Sequence, residues 1–240
     1  MASVITAGAF FRLVYYPALA YNNRMNSDLI LDVTVKTKKN KFTSKISFLK
    51  DFDFTDHSIH QILFPYLNAP IVGDAENPCA ELVSGIHGAT ALTTANATGI
   101  QWWTPDCPAM YRLTTELVSP EEEVIYQRED IIAFRDIQFD GKKLLLNGIP
   151  LSQTIKDSIQ LITLPLDKDH VKQSDQNGSL IVIKLAGNED EKSLLTALDG
   201  LRNSPSLIGW YISQKSSYKP LCAILSAMDD TRPVIKEIFS

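Results

Sequence analysis

Residues 28–48 read DLILDVTVKTKKNKFTSKISF, and this stretch carries the clearest signal of the fold. From Asp28 to Thr37, apolar side chains recur at every second position, which is the period of a strand half-buried in a sheet. The alternation resumes from Phe42 to Phe48, after a polar turn. The stretch therefore predicts a β-hairpin with a basic tip.

A second hairpin is predicted around the pair Asp140-Gly141. Asp-Gly supplies the positive φ angles that a tight hairpin turn requires. The two strands are expected at residues 130–139 and 142–146.

Two helices are predicted between the hairpins. In the first, which starts after a capping Thr or Asp near residue 56, Ile59, Ile62, Leu63 and Tyr66 fall at helical spacing. The second starts at Asn77, a capping residue followed by a proline, and carries its apolar side chains along residues 82–92.

The last sixty residues predict a compact α/β unit. We expect a strand at 180–185, a helix at 190–201, strands at 207–213 and 220–227, and a closing helix after Asp230. Residues 167–178 are the most polar stretch and predict an exposed loop or domain boundary. The predicted fold class is α+β, with a mixed, largely antiparallel sheet, β-hairpins and a C-terminal βαββα unit.

The chain of 240 residues has room for one large domain or two small ones. Residues 1–166 are predicted to form an N-terminal α+β domain with two hairpins. Residues 179–240 are predicted to form a C-terminal α/β unit, either separate or part of the same domain.

Composition excludes several classes of protein. Hydrophobic residues make up 45% and charged residues 21%, as in an ordinary folded protein. The net charge of -5 gives no overall positive field for nucleic acid or an anionic membrane, and no apolar run is long enough to span a bilayer. Cys79, Cys107 and Cys222 form no CxxC pair, so we expect a reducing, cytoplasmic compartment.

His57 and His60 belong to a cluster of potential metal ligands that includes Asp51, Asp53 and Asp56. On a helix, two histidines three residues apart would face the same way, which suits two imidazoles on one metal. Alternatively, the aspartates solvate a loop and the first turn of a helix. No HExxH motif completes the site, and no cofactor is predicted.

The first hairpin carries a basic group, formed by Lys36, Lys38, Lys39, Lys41 and Lys45. These lysines are candidates for contact with nucleic-acid phosphates. Lysines also protect exposed hairpins from edge-to-edge association, and that explanation needs no ligand.

Trp102 and Trp103 lie in an aromatic stretch flanked by turn formers. One of two adjacent strand residues points away from the buried face, so an outward tryptophan would mark a partner surface. The alternative is that both tryptophans belong to the core.

Residues 45–67 read KISFLKDFDFTDHSIHQILFPYL and resemble a stretch of the small sheath subunit of type VI secretion systems. In that family, a strand ending in Asp-Phe precedes a helix that closes with Pro-x-Leu. Asp51, Phe52, Ile59, Pro65 and Leu67 match this pattern, whereas Phe54 or Thr55 replaces the family's proline. The resemblance implies a component of an assembly.

The signatures GxSxG, GxxxxGK[ST] and GxGxxG are missing from the sequence. The sequence therefore predicts a non-enzymatic subunit or adaptor of a multiprotein assembly, acting on other protein subunits and not on a membrane. Two alternatives stay open: a component that contacts nucleic acid through the basic hairpin, and a metal-dependent or Cys/His enzyme with Cys107 as nucleophile.

Overall fold

The structure, a computed structural model, describes residues 29–48, 53–70, 78–86, 88, 90–141, 143–151, 159–213 and 218–235. Its strands are β1 Ile30–Lys38, β2 Lys41–Phe48, β3 Ser58–Pro65, β4 Ala80–Gly85, β5 Thr90–Asn96, β6 Tyr111–Val118, β7 Val124–Ile132, β8 Ile137–Phe139, β9 Leu144–Leu146, β10 Ile149–Pro150, β11 Ile159–Thr163, β12 Leu180–Leu185, β13 Leu207–Ile212 and β14 Val234–Ile235. Its helices are α1 Lys168–Asn177, α2 Glu191–Leu198 and α3 Tyr218–Met228.

Strands β1 to β7 form two antiparallel sheets, in the orders β1-β2-β5 and β4-β3-β6-β7. Their inward side chains share one core, with Val33, Phe42 and Leu113 among its fully buried members. Seven strands divided in this way form an immunoglobulin-like sandwich. The predicted first hairpin is confirmed as β1 and β2, with Lys38 opposite Lys41 at the turn.

The first predicted helix is wrong, because residues 58–65 form the central strand β3. Ile59, Gln61 and Leu63 are all fully buried. The Gln61 amide donates to Thr115 Oγ1 at 2.9 Å and accepts from Thr93 Oγ1 at 2.6 Å. Both its nitrogen and its oxygen therefore have hydrogen-bond partners in the core. A polar residue in the inward row hides the period of two in the sequence.

The second predicted helix is also wrong, since its described residues belong to β4 and β5. Val83 and Leu92 are 70% and 72% exposed, while Ala91 and Thr93 face the core. In β5, small or polar side chains point inward and Leu92 outward, the reverse of the usual pattern, whereas in β4 Leu82 packs on the core and Val83 points outward. Asn77, the predicted cap, lies outside the described residues.

Strands β8, β9 and β10 form a small antiparallel sheet. The predicted hairpin at Asp140-Gly141 is confirmed, with Asp140 N donating to Lys143 O at 3.2 Å and Gly141 at a φ of 92°. Its first strand is shorter than predicted, because β7 already ends at Ile132.

The C-terminal part is a parallel sheet in the sequential order β11-β12-β13-β14, with α1, α2 and α3 between successive strands. Val171, Leu194 and Leu225 from the helices pack on one face, against Ile183 and Trp210. Sequential parallel strands joined by helices are the repeat of (β/α) barrels.

The predicted βαββα order is not the order found. Residues 220–227 lie in helix α3, whose Leu221 and Leu225, one turn apart, pack on the sheet. Pro220 is tolerated in the first turn because its missing N–H has no helical partner there. Strand β14 replaces the closing helix.

The predicted polar loop at 167–178 is helix α1. Asp167 caps it by accepting from the backbone N–H of Asp169 and His170, and Gly178 ends it with a φ of 78°. Two of its buried residues are Ser174 and Asp175, so the sequence shows no apolar stripe.

Trp103 connects the sandwich side of the chain to the parallel sheet. It packs with Leu144 and Leu146 of the small sheet against Leu180 and Val182, on the face opposite the helices. Its Nε1 donates to the Asp175 backbone oxygen at 3.0 Å. Antiparallel sheets with few helices agree with the predicted α+β class, while the division at residues 166 and 179 stays a prediction.

Candidate functional site

The parallel sheet has an exposed patch near the C-terminal ends of its strands. Register pairs Thr163 with Lys184 and Lys184 with Tyr211, so these side chains form one row on one face. Leu161 lies two residues earlier on the same face and is 49% exposed. We call Leu161, Thr163, Lys184 and Tyr211 the open face.

Lys184 is the unusual member of the open face. Strands of parallel sheets are normally buried on both sides. In β12, which reads LIVIKL, Lys184 alone is exposed. Its ammonium makes no hydrogen bond or ion pair within the described part of the chain. Among the described residues, the open face therefore presents a positive charge without a partner.

The acidic side chains at the same end of the sheet are already engaged. Glu189 accepts from the backbone N–H of Ala186 at 2.6 Å and of Gly187 at 2.8 Å. Asp190 caps α2, and the hydrogen bonds from Ser193 hold the pKa of Asp190 below its ordinary value. With Asp167 capping α1, these carboxylates shape the loops, and none of the three pairs with Lys184.

His57 and His60 do not share a helix face. His60 lies on the outer face of β3, with Nδ1 3.0 Å from Glu116 Oε2 and Nε2 2.7 Å from Glu81 Oε1. His57 precedes the strand, and its Nδ1 is 3.0 Å from the Thr55 oxygen. Among the described residues, no group of three or more His, Cys, Asp or Glu side chains is arranged to hold a metal.

The predicted basic group is spread along the first hairpin. Lys36 forms an ion pair with Asp230, and the other four lysines are exposed: Lys38, Lys39, Lys41 and Lys45. Their contact with nucleic acid stays a prediction.

Of the two tryptophans, Trp103 is fully buried and Trp102 half-buried. The burial of Trp103 agrees with the core interpretation, and a partner surface at Trp102 stays a prediction. Cys107 lies in a tight turn with Thr104, where each backbone N–H donates to the other residue's oxygen. The described residues bring no histidine into hydrogen-bonding contact with Cys107.

The open face is not among the sites that the sequence predicts. Strand 180–185 is predicted correctly, and a lysine within this apolar run was the available signal. The exposure of this lysine can be predicted only if one knows which face of the sheet the helices cover. The incorrect prediction of a strand at 220–227 gives the wrong arrangement of helices and strands.

No family model matches the chain, and no curated protein matches it in sequence. Its fold, however, is similar to part of the solved structures of carbohydrate-active enzymes, namely β-glucuronidases and a related glycosyl hydrolase.

A β-glucuronidase from Parabacteroides merdae matches 87% of this chain with a TM-score of 0.64 and 15% identity. The Bifidobacterium dentium β-glucuronidase, complexed with coumarin-3-O-glucuronide, matches 85% with a TM-score of 0.65 and 13% identity. A glycosyl hydrolase family 2 member from Bacteroides cellulosilyticus matches 84% with a TM-score of 0.62 and 14% identity. The chain spans only 33%, 43% and 34% of these proteins, respectively.

These matches overturn the prediction of a non-enzymatic adaptor, because they point to the fold of carbohydrate-active enzymes. The helix implied by the resemblance to a sheath subunit is strand β3. In the part of the chain that the structure describes, no helix is long and apolar enough to cross a membrane.

Proposed function

We propose that this chain is a carbohydrate-active protein that binds an acidic glycoside, such as a β-glucuronide, on the open face. The observation that carries the proposal is the ammonium of Lys184, which has no ion-pair partner among the described residues, at the C-terminal ends of the strands in a fold shared with β-glucuronidases.

The position of the open face supports this role. In parallel α/β sheets, ligands bind at the carboxyl ends of the strands, where the following loops surround them. Thr163 and Tyr211 lie one strand to either side of Lys184. With strands about 4.8 Å apart, the row spans roughly 10 Å, which suits one or two sugar rings.

The chemistry of the row suits an acidic sugar. An ammonium donates three hydrogen bonds, and those to a carboxylate are strengthened by charge. The hydroxyls of Thr163 and Tyr211 both donate and accept, as sugar hydroxyls require. Leu161 offers an apolar surface beside them.

Cleavage of a glycoside needs two carboxyl groups, about 5–9.5 Å apart across the scissile bond. The described carboxylates at this end, Asp167, Glu189 and Asp190, are bound to backbone N–H groups of their own loops. We therefore assign binding to the open face, and a hydrolytic pair would have to come from residues outside the described ones.

The test is a titration of the full chain with phenyl β-D-glucuronide and phenyl β-D-glucoside, followed by NMR shifts of amides near Lys184. We expect the glucuronide to bind about tenfold or more tightly at this face, since a charged hydrogen bond contributes about 1.5–3 kcal/mol. The variant Lys184→Gln should lose this preference.

Lys45→Gln is the matched control, because Lys45 is an exposed lysine on strand β2 of the sandwich. It should keep the preference for the glucuronide. Equal affinity of the open face for both ligands, or an unchanged preference in Lys184→Gln, would refute the proposal. Turnover of a chromogenic glucuronide would refute the assignment of binding alone.

A further inference from the structure

Apart from the open face, a cleft of about 450 Å³ lies where the sandwich meets the parallel sheet. It is bordered by β1, β7, the last turns of α1 and residues 200–204. Because α1 and residues 200–204 immediately precede β12 and β13, this junction cleft lies at the N-terminal ends of the strands. It is therefore separate from the open face.

Two ion pairs hold the walls of the junction cleft. Arg128 binds Asp130 through two parallel hydrogen bonds, of 2.9 Å from Nε and 3.0 Å from Nη2. Arg202 Nε lies 3.1 Å from Asp32 Oδ2. Bidentate pairs of this kind are geometrically defined, so the cleft is largely pre-formed.

The charges around the cleft nearly cancel. Four carboxylates and three cations line it, which leaves one negative charge when all are ionised: Asp32, Glu129, Asp130 and Asp175, against Arg128, Lys172 and Arg202. The described lining residues therefore offer no excess positive charge for an anion. Closely mixed donors and acceptors instead suit hydroxyl groups, which both donate and accept.

The cleft also has an aromatic wall. Tyr66 lines it and is 54% exposed, an unusual exposure for a large aromatic side chain. Tyr66 N donates to Met110 O at 3.0 Å, which holds this segment against the next wall residue. The apolar side of a sugar ring packs well on such an amphipathic ring. Lys172 and Gln176 are exposed at the α1 border and have no side-chain partner within the described residues.

From this combination we infer that the junction cleft is a second binding site, which takes a neutral sugar or polyol unit. Its volume lies within the range of small-molecule sites, about 300–1,000 Å³. Arg128, Asp130 and Arg202 border the hydroxyl groups, and Tyr66 packs on the ring. The inference does not depend on the function proposed for the open face.

The experiment is an NMR titration of the full chain with methyl β-D-glucopyranoside. We expect saturable shifts at amides of residues 128–131 and 200–204. Tyr66→Ala should weaken this binding at least fivefold. Gln176→Ala, at an exposed position of α1 on the border of the same cleft, is a second variant and should weaken the binding as well.

Reciprocal variants separate the two sites. Lys184→Gln should leave the binding of the neutral glycoside unchanged, and Tyr66→Ala should leave that of the glucuronide unchanged. The absence of shifts at the junction cleft, or equal affinity of Tyr66→Ala and the unmodified chain, would overturn the inference and leave its ion pairs with a purely structural role. Loss of glucuronide binding at the open face would be detected at the amides near Lys184 and not at those of residues 128–131 and 200–204.

Discussion

At the scale of single residues, Asp229 and Arg232 form a buried ion pair. Both side chains are almost fully buried, and Arg232 Nη1 lies 2.8 Å from Asp229 Oδ2. Trp210 Nε1 donates to the same oxygen at 2.9 Å. Burial alone would raise the pKa of Asp229, but the charge of Arg232 and the hydrogen bonds from Thr231, Arg232 and Trp210 outweigh it and lower the pKa.

Asp229→Asn should destabilise the protein by about 3–5 kcal/mol near neutral pH, because it leaves Arg232 buried without a counter-charge. The folded-state pKa of Asp229 is depressed, so its stabilising effect is complete above the unfolded value of about 3.9 and is lost as pH falls through the folded one. Urea unfolding of both proteins at about pH 7 and about pH 3 should show the difference shrinking in acid.

Asp199→Asn is the control for this prediction. Asp199 forms an exposed ion pair with Lys168 at 3.0 Å, and such pairs contribute about 0–1 kcal/mol. A difference for Asp229→Asn that stays constant down to low pH would show that its carboxylate is not the group responsible.

At the scale of elements, the sequence predicts those strands in which apolar residues face the core. Strands β1 and β12 follow this rule, as does β2 except at the small buried Ser44, and each is predicted close to its observed bounds. In β3, buried Gln61 is stabilised by Thr93 and Thr115, two partners distant in the sequence. No local pattern contains that information, since it depends on strands that pair only in the folded chain.

The candidate site was hidden for a related reason. Lys184 stands out only when the helices are known to cover the other face of β12. Residues 220–227 form a short, mostly apolar run, and helix and strand are hard to separate in such runs. Lys184 can therefore be recognised in the sequence as a lysine within an apolar run, whereas the surroundings of its side chain cannot.

Helix α1 ends in a close contact that can be tested directly. A Cβ on Gly178 would lie 2.1 Å from Pro105 O, whereas a Cβ on Gly148 would meet nothing within 4 Å. Both glycines have a φ of 78°. Alanine would have the same backbone strain at both positions, but only at position 178 would its Cβ collide with a neighbouring residue.

Gly148→Ala should destabilise the protein by about 1–2 kcal/mol, the penalty of a left-handed alanine. Gly178→Ala should add a backbone clash and lose roughly 3 kcal/mol or more, as overpacking adds about 1–3 kcal/mol. Urea unfolding of the two variants side by side measures the difference. Equal losses would mean that Pro105 moves away without penalty.

At the scale of the whole molecule, the sandwich and the parallel sheet are joined by polar contacts. Asn203 bridges to β1, accepting from Val35 N at 2.9 Å and donating to Val33 O at 2.8 Å. Arg135 donates to Ser204 O and Leu207 O. Burial, with the nearby charge of Arg232, lowers the pKa of Arg135 to about 9. The junction thus depends on specific hydrogen bonds as well as on apolar packing.

Asn203→Ala should destabilise the protein by about 2 kcal/mol, because two backbone groups of β1 lose their partners. Hydrogen exchange should be faster at the Val35 amide than in the unmodified chain. Asn188→Ala, at an exposed loop position, should change neither quantity. Unchanged exchange at Val35 in Asn203→Ala would show that the bridge does not hold this strand.

The row of Thr163, Lys184 and Tyr211 has a consequence for evolution. These side chains leave the sheet on the side away from the helical core, while Asp167, Glu189 and Asp190 keep the loops in place. In the function proposed above, substitutions of the exposed Thr163 and Lys184 change ligand preference with little effect on folding, whereas Tyr211 is half-buried and packs on the core. With that function, descendants of this chain can change their ligand at Thr163 or Lys184 one residue at a time without passing through unstable intermediates.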